Sequence, residues 1–231
     1  MEDLTGKLRE RARELGLELF GTAPAEAMEE HAGTPIDWMD WKSMVSPGEY
    51  LTDAKSFVVT GVPAPGPAWD TATRLNQGWT YPGYYPLEMA TWRLADDLRD
   101  LGHRVYAHPL NISRKILGRL AGFGPFGKSS LILHPDYGPR FRIATLLTDV
   151  ELDYYAPAEG DPCGDCTACI DQCPTGAIEP YRIRPADCLI THLVSGKAPR
   201  PDLLEAVSPE LAPGVRVMCR VCQDVCPAGR S

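Results

Sequence analysis

All eight cysteines of the 231-residue chain lie after Asp161, at Cys163, Cys166, Cys169, Cys173, Cys188, Cys219, Cys222 and Cys226. The block CGDCTACIDQCP has the CxxCxxCxxxCP spacing with which bacterial ferredoxins hold a cubane iron-sulfur cluster. A second copy closes in CRVCQDVCP, but the position ten residues before Cys226 is Arg216 rather than cysteine. Cys188, in ADCLITHL between the repeats, restores the count, so eight thiolates form two sets of four. Three close cysteines on a tight loop cap three corners of one cube, whereas the fourth of each run is directed to the neighbouring cube. The sets therefore interlock. Cys163, Cys166, Cys169 and Cys226 are expected on the first 4Fe-4S cluster, and Cys173, Cys188, Cys219 and Cys222 on the second. Pro174 and Pro227 follow the fourth cysteine of each run, where they stop a short helix and turn the chain away. Clusters of this kind move single electrons, which suits a relay better than bond-making chemistry. Disulfides are disfavoured without a secretion signal, and zinc knuckles would strand the remaining cysteines.

The stretch GFGPFGKSS, Gly122 to Ser130, fits both GxGxxG and GxxxxGK[ST]. A phosphate-binding loop must leave a strand and enter a helix, whose first N–H groups bind the phosphates. Here the helical ISRKILGRLA comes first and the strand-like SLILH follows, so the glycines end a helix and turn the chain. Asp149, after IATLLT, is the one feature that keeps an ATPase reading open.

The positioning elements upstream are mixed. Leu4, Leu8, Leu15 and Leu19 recur near helical spacing, and FVVTGV reads as a buried strand. Pro86 to Leu101 follows helical periodicity, with Gly102 where a left-handed cap would end the helix. Arg104 to Ala107 is expected as a strand, Ile112 to Leu120 as a helix, and SLILH and FRIATLL as strands. Pro157 to Pro162 reads as a linker. These features predict an α+β domain over 1–156 and a cluster domain over 157–231. The charged opening MEDLTGKLRERARELG lacks a signal peptide, and no apolar run approaches a bilayer span. A soluble, cytoplasmic protein with no membrane association is expected. Net charge of -8 argues against a general polyanion-binding surface and makes tRNA a poor candidate partner.

The run LAGFGPFGKSSLILHPDYGPRFRIATLLTDVEL, with CGDCTACIDQCPTGAI, ADCLITHL and CRVCQDVCP, resembles the epoxyqueuosine reductases and, more distantly, the reductive dehalogenases. The resemblance implies a nitroreductase-like α+β domain of the corrinoid-reductase type, followed by a two-cluster ferredoxin-like domain. It implies that the clusters reduce a bound cobalamin to its nucleophilic Co(I) form, which reduces a small-molecule substrate or a modified base. A low-potential donor such as ferredoxin or flavodoxin would supply the electrons. Under this resemblance Gly127, Lys128 and Ser129 belong to the corrinoid pocket, with Ser113, Arg114, Lys115, Tyr137 and Arg140 as further cofactor-binding candidates. His108 stands near the position of the family's proton-donating aspartate, and Tyr84, in WTYPGYYP, is a second candidate donor. Both have a structural alternative: His108 as a strand-end residue before Pro109, Tyr84 as packing. The chain stops five residues after Cys226 and reads CPAG where the family usually has CPWN, the pattern of a short form without the C-terminal extension. Two readings compete with the cobalamin enzyme: a flavin-dependent reductase, and an electron-transfer protein that reduces a partner such as a corrinoid protein.

Overall fold

The computed structural model describes residues 3–36, 39–76, 78–191 and 200–229; His192 and Leu193, the end of ADCLITHL, lie outside them. Two compact units emerge, each assembled from separate stretches. The first comprises Met1–Pro63, Pro86–Pro125 and Phe141–Gly160, and the second Ala64–Tyr85, Phe126–Arg140 and Asp161–Ser231. Where the sequence suggests one boundary near 156, packing interleaves the chain instead.

The first unit is built on an antiparallel sheet in the order β1 (Leu19–Pro24), β4 (Ser56–Pro63), β8 (Phe141–Thr148), β7 (Val105–Ala107). β4 and β8 pair along their whole length, from Ser56 opposite Thr148 to Pro63 opposite Phe141. All eight residues of β8 are buried, Arg142 and Thr145 among them, which is why FRIATLL does not alternate between apolar and polar positions. Helices α1 (Leu4–Glu14) and α2 (Tyr85–Asp100) supply Leu8, Ala12, Leu87, Leu94, Ala95 and Leu98 to a core with Val58, Ala144 and Leu146. The expected helical run through Leu19 is corrected: α1 stops at Glu14, Leu15 caps it, and Leu19 opens β1. Helix α3 (Arg114–Leu120) starts where the Ser113 hydroxyl accepts the Ile116 N–H at 3.2 Å. A short hairpin, β2 (Pro35–Ile36) with β3 (Met39–Ser43), completes this unit.

In the second unit β5 (Thr71–Leu75), β6 (Gly78–Thr80), β11 (Glu210–Ala212) and β12 (Val215–Val217) form a sheet in the order β11-β12-β5-β6. β12 pairs antiparallel with β5, placing Arg216 opposite Ala72. The two cysteine runs carry the short helices α4 (Ala168–Asp171) and α6 (Val221–Asp224). Between them lie the ribbon of β9 (Ile178–Glu179) with β10 (Arg182–Ile183) and helix α5 (Pro201–Val207). SLILH is not the expected strand: Ile132 and His134 make only isolated bridges, to Phe126 and Gly138, because the chain doubles back on itself within a few residues.

A buried ion pair fastens 64–85 to the second cysteine run. Arg220 reaches Asp70 at 2.9 Å and Asp224 at 2.8 Å, and its third nitrogen donates to the Pro65 carbonyl at 3.4 Å.

Candidate iron-sulfur and cofactor site

The first cysteine run is a tight loop: the Cys163 N–H donates to Asp161 Oδ1 and the Cys166 N–H to the Cys163 carbonyl, both at 2.9 Å. Helix α4 follows and ends two residues before Cys173; α6 bears the same relation to Cys226. The thiols feel one another in two groups. Burial raises the Cys169 thiol, and Cys163 and Cys226 raise it further. Cys226 is raised by burial, with Cys163 and Cys166 as its thiol neighbours. Burial pushes Cys219 up to about 11, with Cys188 and Cys173 contributing. Cys222, the most deeply shielded, is raised first by burial and then by Cys219, Cys188 and Cys173, with Cys169 beyond them. Cys169 and Cys226 thus have Cys163 as a common neighbour, and Cys219 and Cys222 have Cys173 and Cys188 in common, with Cys169 also near Cys222.

This donor set fits cubanes. Thiols become ligands by releasing protons to the medium as the metal binds, and all eight are free, seven of them half-buried and Cys166 exposed. Among the described residues no three His, Cys, Asp or Glu side chains converge as a single ion would require. A cube needs its sulfurs spread over its corners instead.

The surrounding side chains account for the irregularities of the second run. Arg216, standing where a cysteine would complete the repeat, pairs with Glu205 at 2.9 Å and Glu210 at 3.3 Å and donates to the Ser208 carbonyl at 2.6 Å. These bonds anchor β12. CPAG also has a packing reason: a Cβ on Gly138 would collide with the Ala228 carbonyl, and one on Gly229 with the Gly138 amide. Both glycines have positive φ, 55° and 65°. Arg140 is committed to the same turn, donating to the carbonyls of Gln223 at 3.2 Å, Cys226 at 3.1 Å and Ala228 at 2.5 Å.

GFGPFGKSS leaves α3 and enters no helix. Gly127 and Ser129 are buried. The Lys128 amide donates to Cys163 Sγ at 3.3 Å and its ammonium to the Gly164 carbonyl at 2.5 Å. Tyr137 stacks on His134 with ring centroids 4.8 Å apart. Tyr181, with φ of 64°, donates its amide to the Lys128 carbonyl at 3.0 Å. The Tyr181 hydroxyl bonds Asp161, which pushes the phenol up to about 12. Tyr84 also belongs to this unit, where it meets Tyr81 edge-on at 6.1 Å.

The remaining candidates lie in the first unit. Ser113 serves as the α3 cap. Arg114 reaches Glu88 at 3.3 Å and the Ile143 carbonyl at 3.3 Å, and Lys115 is its neighbour on the first turn of α3. His108 follows β7 directly and continues its ladder, donating its N–H to the Thr145 carbonyl at 2.9 Å. Its φ of 54° is a left-handed conformation that a non-glycine residue adopts at a cost. Its Nε2 lies 3.2 Å from the Glu88 carbonyl, and its ring centroid 6.1 Å from that of Trp92. Burial lowers the His108 pKa, the Glu88 carboxylate opposes that shift, and Arg114 adds to it. Among the described residues, His108 Nδ1 and Thr145 Oγ1 are buried without a hydrogen-bond partner. Sequence reasoning missed Glu88, Trp92, Asp161 and Tyr181. The first two sit on a helix whose periodicity marks only its apolar face, and the last two lie in loops without a motif.

A helix-and-sheet fold with two thiol tetrads defines an iron-sulfur oxidoreductase. Residues 162–229 match the family described as a 4Fe-4S double cluster binding domain. The epoxyqueuosine reductase of Gloeobacter violaceus is 30% identical over 98% of this chain and 76% of its own length. That of Leadbetterella byssophila is 28% identical over 98% of this chain and 80% of its own. This chain belongs to the epoxyqueuosine reductase family. In fold it is similar to the Streptococcus thermophilus epoxyqueuosine reductase, with a TM-score of 0.74 at 20% identity over 99% of this chain and 67% of that one. An epoxyqueuosine reductase solved with a modified tRNA stem loop has a TM-score of 0.72 at 23% identity, over 99% and 66%. A B12-dependent reductive dehalogenase has 0.62 at 18%, over 97% and 32%.

The stem-loop complex corrects the expectation against tRNA. A net charge of -8 sums the whole surface, whereas phosphate contacts need only a local run of donors, so the sum does not exclude a nucleic-acid partner. Among the described residues no helix is long and apolar enough to cross a membrane.

Proposed function

We propose that this protein is a corrinoid-dependent reductase that passes electrons through two 4Fe-4S clusters to act on a modified base carried by tRNA. The observation that carries this reading is the pair of thiol tetrads in one compact unit of a chain whose relatives are epoxyqueuosine reductases. In functional terms residues 157–231 carry the ferredoxin-like clusters, packed with 64–85 and 126–140, and the rest of 1–156 is the nitroreductase-like part for cofactor and substrate. Cys166 is exposed, which supports electrons arriving at the first cluster from a soluble low-potential donor.

A corrinoid, when bound, supplies a low-valent cobalt nucleophile that no side chain can replace. The chain's own part is to receive its polar edge and to move a proton. Arg114, Lys115 and the unpartnered Nδ1 and Oγ1 of His108 and Thr145 offer polar groups in the first unit. His108 replaces the carboxyl donor of its relatives with an imidazole, held against α2 by the Glu88 carbonyl.

The test is anaerobic. Clusters are reconstituted, hydroxocobalamin or FMN is added separately, and the protein is gel-filtered and treated with dithionite. Retained corrinoid that reaches its reduced spectrum, followed by loss of the epoxide from an epoxyqueuosine stem loop by mass spectrometry, supports the proposal. Retained FMN alone would point to flavin chemistry. Retention of neither would point to an electron carrier.

A further inference from the structure

We infer that the Gly127–Lys128 segment is a clasp that positions the Cys163 thiolate and sets the potential of the first cluster. The inference rests on the reading that the cysteines hold cubanes.

The connections form a closed set around one ligand. The Lys128 amide points at Cys163 Sγ, and the Lys128 ammonium holds the next carbonyl along the loop, that of Gly164. The Lys128 carbonyl in turn receives the Tyr181 amide. Tyr181 binds Asp161 through its hydroxyl, and Asp161 accepts the Cys163 N–H. Cys163 is therefore held at its sulfur by a loop more than thirty residues upstream and at its own amide by Asp161. Gly127 is required by proximity: a Cβ there would lie 2.6 Å from Leu133 Cδ1 and 3.3 Å from Cys163 Sγ. This closeness accounts for a glycine followed by a lysine in a loop that enters no helix.

The physical consequence follows from charge. A cubane gains negative charge when it takes one electron, so an N–H dipole on a ligand sulfur and a nearby ammonium both stabilise the reduced state. Removing either makes the first cluster harder to reduce. The second cluster has no ligand in this set of bonds and serves as the internal reference.

The experiment is an EPR-monitored redox titration of the reconstituted full-length protein. Signals are assigned with Cys188→Ala, which keeps only the first cluster. In Lys128→Met the first cluster's reduced-to-oxidised ratio at fixed potential should fall about three- to tenfold, the larger figure being about 59 mV for a one-electron couple. The second cluster should not move. Lys128→Arg should restore most of the ratio, and Gly127→Ala should lower it by displacing the amide. Loss of the first cluster alone in Lys128→Met would support the clasp through a larger effect. An unchanged first potential in both Lys128→Met and Gly127→Ala, or equal shifts in both clusters, would overturn the clasp while leaving the cubanes standing. Wild-type protein without any cubane signal would overturn the underlying reading and the clasp with it.

Discussion

Cys188 and His108 are the residues at which the proposal can be tested one side chain at a time. Cys188 lies between the two cysteine runs, and Cys219 and Cys222 are its thiol neighbours. Cys188→Ala should leave about four irons per chain, one cubane, because the other tetrad is intact; full iron content by chemical assay would remove Cys188 from the ligand set. His108 is held below the ordinary imidazole value of about 6.5, chiefly by burial. It is therefore neutral at pH 7 and gains its proton only in acid. Substrate reduction should rise as pH falls through and below about 6.5, and His108→Asn should flatten that limb and cost about a hundredfold in rate. The folding consequence has the opposite sign: the fold disfavours the charged ring, so wild-type stability falls below about 6.5 relative to His108→Asn. A pH–rate profile unchanged by the substitution would return His108 to its role as the residue that ends a strand.

At the scale of elements, the ion pair of Asp70 with Arg220 joins the β5 strap to the second cysteine run, with both side chains nearly inaccessible at 11% and 7%. Breaking it leaves a buried carboxylate beside the ligands. Arg220→Met should cost about 3–5 kcal/mol in anaerobic denaturant unfolding. The double variant with Asp70→Leu should recover much of that, because no charge is then left buried. A small effect of the single substitution would mean that water reaches the pair. None of this was legible in the sequence. β4, β8, α2 and α3 were, because FVVTGV and FRIATLL are dominated by apolar and β-branched residues and Pro86 to Leu101 keeps its period. The pairing of β5 with β12 was not: each strand is short, and each finds its partner about 140 residues away instead of in its own pattern. SLILH carried strand-forming residues but lacked a neighbour along which to pair.

At the scale of the whole molecule, the ligand spacing was readable because cubane geometry dictates it, whereas the partner was misjudged because net charge is a sum without a map. Epoxyqueuosine reductases include one solved with a tRNA stem loop, and this chain matches its fold over 99% of its length. Everything proposed for substrate, corrinoid and proton delivery depends on electrons arriving through paired cubes. Iron and acid-labile sulfide analysis of anaerobically reconstituted protein, combined with Mössbauer spectroscopy, tests that dependence most directly. About eight irons per chain are expected, all in the 4Fe-4S form. Protein that stays free of iron, or that takes up zinc in its place, would contradict it.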